Sequence, residues 1–374
     1  MPKVTFTKKG AFYHQLKTKV DLYFIENNLK KTGNWNLYLK TIVLVTSAMV
    51  LYCLLLTVRF PIAVSLVLCL LLGFTFACIG FNIMHDACHG SYSSKPWMNE
   101  VLGFSLNALG GNSFIWKCKH HLHHTYTNVD GIDDDIAKSP LLRQCTSQKW
   151  VPMHRFQHLY IVFVYAISSI AWITIMDFEK YFKQKVFTTP LRKMNLIEHF
   201  IFWISKSLFL LFYVLIPIYF VGAGPWAIGF VFAQVAMGYT LALVFQMAHV
   251  VEGTEFETVD VEPKLIEKEW AIHQVVSTTN FATNNQIVSW FVGGLNFQIE
   301  HHLFPRISHI HYPAISNIVK LECEEFNLPY NNFSTVSKAM ASHYSHIKKL
   351  GRKPDHTDIE KISIDQHLIL LNKN

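Results

Sequence analysis

The sequence predicts an all-α integral membrane protein, with four transmembrane helices in two hairpins, interfacial helices, and a cytoplasmic helical cap that carries a metal site. Three observations predict it. The 374-residue chain is 51% hydrophobic and only 16% charged, where an ordinary soluble domain is about a quarter charged. Its apolar residues gather into runs close to the ~20 residues a helix needs to cross a bilayer. Many of its 20 histidines stand in tight clusters that follow those runs.

Residues 1–40 are polar and Lys-rich, with no apolar core or small-residue cleavage site of a secretory signal. They are expected to stay cytoplasmic as an amphipathic N-terminal segment. Within them Phe12, Leu16, Val20, Tyr23 and Phe24 recur at helical spacing between lysines. A helix lying on the lipid headgroups and a solvated lead-in helix both fit that pattern.

Residues 41–58 and 61–84 are long apolar runs joined by Arg59 and Phe60, the first predicted hairpin. Residues 101–116 are apolar but short and broken at Gly110–Gly111, so a re-entrant or interfacial piece is expected there. Residues 125–155 read as polar loop. The run 158–176 has Arg155 before it and Lys180, Lys183, Lys185, Arg192 and Lys193 after it. Positive charge at both ends predicts an interfacial element with both ends cytoplasmic. Residues 200–222 and 225–248 form the second hairpin, with Pro225 opening its second helix. Lys206 is the one charge in its first run and is expected to snorkel towards the headgroups.

This places the loop 85–155, the region from 249 onward and both termini on the cytoplasmic side. The expected division is an N-terminal segment 1–40, a membrane domain 41–310 and a cytoplasmic helical region 311–374, the last with Tyr312, Pro313 and a Lys-rich stretch at 348–353. The net charge of +7 sits on residues flanking apolar runs, which argues for topology and against nucleic acid as a partner. The seven cysteines include no CxxC pair, so neither disulfides nor a thiolate metal site is read.

The chemistry lies in the histidines. His85 and His89 stand four apart and share a helix face. His120, His123 and His124 stand at i, i+3 and i+4 and project together, while His121 lies about 100° round the helix. Gln298, His301 and His302 repeat that spacing with Gln in the first place, and His249 ends the last apolar run. Imidazole suits iron, zinc, copper and nickel alike, but eight histidines exceed what one tetrahedral zinc needs. Two metals near the membrane surface suit dioxygen chemistry on an unactivated methylene, which no acid–base pair or Ser or Cys nucleophile performs. Asp133, Asp134 and Asp135 follow the second cluster, either as a solvated turn or as partners for the N–H groups of ligand imidazoles. Isolated histidines such as His14, His158 and His343 are read as ordinary surface or core.

His85-Asp86-Ala87-Cys88-His89, His120-His121-Leu122-His123-His124 and Gln298-Ile299-Glu300-His301-His302, read in that order, resemble the three boxes HxxxH, HxxHH and (H/Q)xxHH of the membrane fatty acid desaturases. The likeness covers roughly residues 80–310. The run from Trp290 to Pro305 is similar to the third-box region of front-end desaturases, marked by Gln in the first position. The resemblance implies a di-iron centre, with two iron ions held by His85, His89, His120, His123, His124, His301 and His302 and by His249 as the family's extra ligand. Gln298 is then beside the metal. It further implies that dioxygen, two electrons and a fatty acyl lipid, as acyl-CoA or acyl-lipid, are consumed to place a double bond on the carboxyl side of an existing one. The sequence shows no HPGG haem motif of a fused cytochrome b5, so a separate ferredoxin or cytochrome b5 is the expected electron donor, steered to a cationic face. A sphingolipid desaturase or a membrane hydroxylase with the same metal site is the alternative enzyme. A polytopic metal transporter would instead place ionisable ligands at mid-membrane depth.

Overall fold

The computed structural model describes residues 4–7, 10–137, 140–258 and 264–354. Of the C-terminal region 311–374, residues 355–374 lie outside the described residues.

The fold is helical. Helix α1 (Ala11–Glu26) leads in. Among the described residues, four helices are long and apolar enough to cross a membrane, α2 (Trp35–Thr57), α3 (Ile62–His89), α6 (Leu196–Val221) and α7 (Ala223–His249), with α4 (Ser113–Thr125) and the bent α5 (Pro152–Lys183) between the two pairs. Asn34 opens α2 by accepting the Asn36 N–H, and the break at Val58 turns the chain into α3. Gly222, at φ 84°, makes the tight turn between α6 and α7. Side chains on these helices that face away from the protein stay exposed and apolar, among them Val43, Met49, Val67, Leu211 and Ile228, as a lipid-facing surface requires.

The spans pack through small residues. A side chain at Gly73 would fall on the Ala233 carbonyl, so α3 and α7 approach closely. The bent α5 breaks by 61° between Ala166 and Ser168 and does not form a straight crossing. Ser168 and Ser169 donate to the Gly238 and Gln234 carbonyls of α7 at 3.1 and 2.8 Å. Short helices Pro96–Gly103 and Ser105–Ala108 replace any crossing over 101–116, and the chain turns at Gly110, φ 95°.

Two expectations need correction. Lys206 does not reach the headgroups. It is buried, and its Nζ donates to Asp177 Oδ2 at 2.9 Å and to the Gly110 and Ile173 carbonyls at 2.6 and 3.1 Å. An ammonium that finds a carboxylate and two carbonyls inside the protein has no reason to extend to the interface. Nor does the apolar stripe of α1 face lipid or water. Phe12, Leu16, Val20 and Phe24 are buried against α8 (Trp270–Ser277), α9 (Gln298–Leu303) and α10 (Tyr312–Glu325), in one core with Val275, Ile299 and Val319.

This core is the cap over the membrane helices. Short parallel pairings tie it together, Val4–Phe6 with Lys264–Ile266 and Asn280–Phe281 with Asn332–Phe333. The last helix among the described residues, α11 (Val336–Leu350), packs beside α5 and α7. Its His343 is an ordinary buried core residue, bonded to Tyr165 OH at 2.8 Å and to the Val250 carbonyl at 2.6 Å.

Candidate metal centre

Each histidine cluster arrives on a different rigid element. The first is continuous with the second span, since α3 runs through a π-helical turn at Gly80–Met84 directly into His85–His89. That turn adds a residue to the helix just before the cluster and resets which face the histidines occupy. The second lies on the last two turns of α4, whose start is fixed by the Asn112 side chain accepting the Ile115 N–H at 3.0 Å. The third sits on α9. Ile299 and Leu303, four apart, enter the cap core, and Gln298, His301 and His302 take the opposite side. His249 is the last residue of α7.

The eight histidines converge on two foci. Ring nitrogens of His85, His89, His120 and His301 lie within 4.8 Å of one another, as do those of His123, His249 and His302. A third such group, His124 with His301 and His302, bridges the two. His89 Nε2 and His120 Nε2 approach to 2.9 Å, and His120 Nε2 and His124 Nε2 to 3.1 Å.

Hydrogen bonds to the other ring nitrogens set the imidazole orientations. His123 Nδ1 meets Asp133 Oδ2 at 2.9 Å, His301 Nδ1 meets Tyr312 OH at 3.1 Å, and His302 Nδ1 meets Gln274 Oε1 at 2.9 Å and Thr127 Oγ1 at 3.1 Å. Nε2 of His123 and of His301, Nδ1 of His124 and both nitrogens of His249 are buried with no hydrogen-bond partner. A buried polar atom left unpaired costs free energy, and a cation at each focus would remove that cost by accepting these lone pairs. Burial, and then the crowding of neighbouring imidazoles, hold His124, His301 and His302 well below the usual histidine range. They are therefore neutral near pH 7, the form that ligates metal. The donor set is imidazole nitrogen throughout, with carboxylate behind it.

Asp133 is fully buried and also accepts the Asn128 N–H at 3.0 Å. Asp135 lies 4.0 Å from His123 Nδ1 and pairs with Lys119 at 2.6 Å, while Asp134 pairs with Lys180 at 3.2 Å. Glu300 points away from the foci and accepts from Asn280 Nδ2 at 2.8 Å and Tyr330 OH at 2.7 Å, and burial pushes its carboxyl up to about 7. Gln274, Thr127 and Tyr312 escaped sequence reasoning as partners of the cluster. Gln274 and Tyr312 come from separate helices that no spacing links to the boxes, and Thr127 lies in the turn four residues past His123.

A cavity of about 850 Å³ opens against the histidines. His85, His120, His123, His249, His301, His302 and Gln298 line one part of it. Phe76, Leu109, Trp172, Met237 and Leu241 line an apolar part, and Lys180, Lys183 and Lys185 of α5 and the loop after it also reach its lining. Its size is that of a small-molecule site, and its apolar lining suits a hydrocarbon chain brought up to the metal foci.

The fatty acid desaturase family model matches residues 61–334, which contain every one of these histidines. The chain is 36% identical to the sn-1 linoleoyl-lipid 6-desaturase of Synechocystis sp. over 94% of its own length and 98% of that protein. It is 35% identical to the acyl-lipid (8-3)-desaturase of Physcomitrium patens, over 91% of its own length and 72% of the relative. With four membrane helices, histidine foci against an apolar cavity and likeness along nearly the whole chain, this protein belongs to the fatty acid desaturase family.

Proposed function

We propose that the chain is a front-end acyl-lipid desaturase with a di-iron centre. It places a cis double bond in a polyunsaturated acyl chain on the carboxyl side of an existing one. The observation that carries this reading is the apolar cavity opening against the histidine foci. The relatives named as acting on linoleoyl-lipid and acyl-lipid support a lipid-borne acyl group.

The overall reaction takes one –CH2–CH2– unit, O2, two electrons and two protons to one –CH=CH– unit and two waters. Iron, when bound, supplies the activation of dioxygen. His85, His89, His120, His123, His124, His249, His301 and His302 are the proposed ligands. Asp133, Gln274 and Tyr312 hold three of those rings by their Nδ1 atoms. Gln298, whose Oε1 has no hydrogen-bond partner, lines the cavity with these histidines and would sit beside the metals. Phe76, Leu109, Met237 and Leu241 exclude water from the bound chain and fix which carbon reaches the foci. A separate carrier of ferredoxin or cytochrome b5 type delivers the electrons to a basic cytoplasmic face. The histidine clusters, both termini, the segment 1–40 and the region from 311 onward lie on that side of the membrane, around the membrane domain 41–310.

The test is mass spectrometry of lipids from a host that expresses the chain and is fed linoleic and α-linolenic acids, with His302→Ala as the control. A new double bond on the carboxyl side, absent in the control, is the expected result. An iron-loaded protein with a supplied donor that gives a hydroxylated product or a modified sphingolipid would overturn it.

A further inference from the structure

A second pocket of about 940 Å³ meets the acyl cavity at the segment just before the third histidine cluster. The segment 294–298 is the shared wall. Gly294 and Phe297 line the polar pocket, and Leu295 and Gln298 line the acyl cavity.

The floor of this pocket is a buried cation. Lys40, only 7% exposed, donates from Nζ to Asn82 Oδ1 at 2.7 Å and approaches His309 Nε2 at 3.2 Å. The ammonium also sits 5.3 Å from the centre of the Trp290 ring. With Asn82 and the His309 ring occupying two of its three protons, the remaining proton is available to the pocket that Lys40 lines. Lys320, whose Nζ lies 3.8 Å from Glu324 Oε1 one turn further along α10 and outside the lining, supplies a second cation at the exposed edge. Asn36, Asn284, Gln286 and Asn317 bring amides with both donors and acceptors, and among the described residues no carboxylate lines the pocket. Amides and two ammonium groups with no carboxylate favour an oxygen-rich anion. Asn36 and Lys40 belong to the first turns of α2, where the first membrane span begins, so the pocket opens at the level of lipid headgroups.

We propose that this pocket binds the phosphate of an anionic phospholipid headgroup, as a site separate from the acyl cavity. Lys40 and Lys320 take the phosphate and the amides take the headgroup hydroxyls. Occupancy bears on the metal foci through two contacts. Gly294 packs against His309 so closely that a Cβ would lie 2.8 Å from the His309 Cβ. His309 and Ser308 in turn hold Asp86, the neighbour of His85, with His309 Nδ1 and Ser308 Oγ at 3.0 and 2.6 Å from its Oδ2.

The experiment is calorimetric titration of the full purified chain in detergent with dihexanoyl-phosphatidylglycerol, dihexanoyl-phosphatidylcholine and inorganic phosphate. It reads binding alone and so does not depend on the desaturase reading. Saturable binding of the phosphatidylglycerol, tighter than that of the phosphatidylcholine, is expected. Inorganic phosphate that competes shows that the phosphate alone is recognised, and one that does not shows that the headgroup hydroxyls are needed. Asn317→Asp puts a carboxylate into the lining at an exposed position, and Lys320→Glu reverses the edge charge. Each is expected to weaken phosphatidylglycerol binding about tenfold or more, the worth of a charge-assisted contact, with an unchanged melting temperature. Equal affinity for the two lipids, no binding, or full affinity retained in both variants would overturn the proposal.

Discussion

Asp133 Oδ2 accepts the Nδ1 proton of His123 at 2.9 Å and the Asn128 N–H at 3.0 Å, which leaves His123 Nε2 buried with no hydrogen-bond partner. The carboxylate fixes the tautomer that aims Nε2 into the group with His249 and His302. Removing such a partner costs about 10–100-fold in metal affinity or activity. Asp133→Asn keeps the shape and removes the charge. It is expected to lower iron content and desaturation within that range while the protein stays membrane-inserted, read by elemental analysis and product yield on the same preparation.

Gln274 does the corresponding work at His302, accepting from Nδ1 at 2.9 Å from a buried position on α8. Gln274→Leu keeps the volume but leaves His302 without this acceptor and Thr127 as its remaining neighbour at 3.1 Å. Weaker iron retention during dialysis against a chelator is expected, with an intermediate phenotype compared with His302→Ala. Iron retention equal to that of the wild type would show that Thr127 alone orients the ring.

What the sequence made legible follows period and hydropathy. The four spans are apolar for close to a bilayer's thickness, and the i, i+4 spacing of the first box and the i, i+3, i+4 spacing of the other two each survive intact on one helix. The partners of those boxes are not periodic. Asp133 was within reach because it follows its histidine by ten residues, but Gln274 and Tyr312 sit on helices whose own pattern says nothing of a metal. The apolar stripe of α1 announced a buried face without naming what buries it, since lipid and the cap of α8, α9 and α10 present the same hydrocarbon. Lys206 failed for a related reason. Its partner Asp177 lies 29 residues away, in the second half of α5, and a single-segment reading offers the headgroups as the only escape.

The Lys206–Asp177 pair is almost wholly buried, with side chains 8% and 2% exposed. Breaking such a pair by removing one member strands the other charge and costs about 3–5 kcal/mol, whereas replacing both with apolar residues is often neutral. Lys206→Met is therefore expected to lower the melting temperature in detergent markedly. The double variant Lys206→Met with Asp177→Leu should recover most of the loss. A double variant as unstable as the single would mean that the contacts of Lys206 with the Gly110 and Ile173 carbonyls carry the stabilisation instead.

Gly73 allows α3 and α7 to touch, because a Cβ there would meet the Ala233 carbonyl, which is backbone and cannot rotate away. Gly73→Leu must push the spans apart and is expected to cost at least the 1–3 kcal/mol typical of overpacking. The histidines ride on the ends of the same two helices, His85 and His89 on α3 and His249 on α7. The separation should therefore also reduce iron loading, a joint loss that a substitution on a lipid-facing position such as Val67 does not produce.

Leu241 lines the apolar part of the cavity on α7, two turns before His249 and in the same cavity as Phe76, Leu109 and Met237. Enlarging it to Trp fills space that the acyl chain needs, without touching any histidine or any of the hydrogen bonds that orient them. Uniform loss of binding would raise the substrate concentration needed for half-maximal rate, and displacement of the chain would change which carbon meets the foci. Because the cavity is bounded by rigid helices, the second effect is expected to dominate. Leu241→Trp should hold wild-type iron, convert 18-carbon substrates about tenfold less well, as expected when a chain is held out of its reacting position, and favour shorter chains. Wild-type conversion of 18-carbon chains by the Trp variant would place the acyl path elsewhere in the molecule.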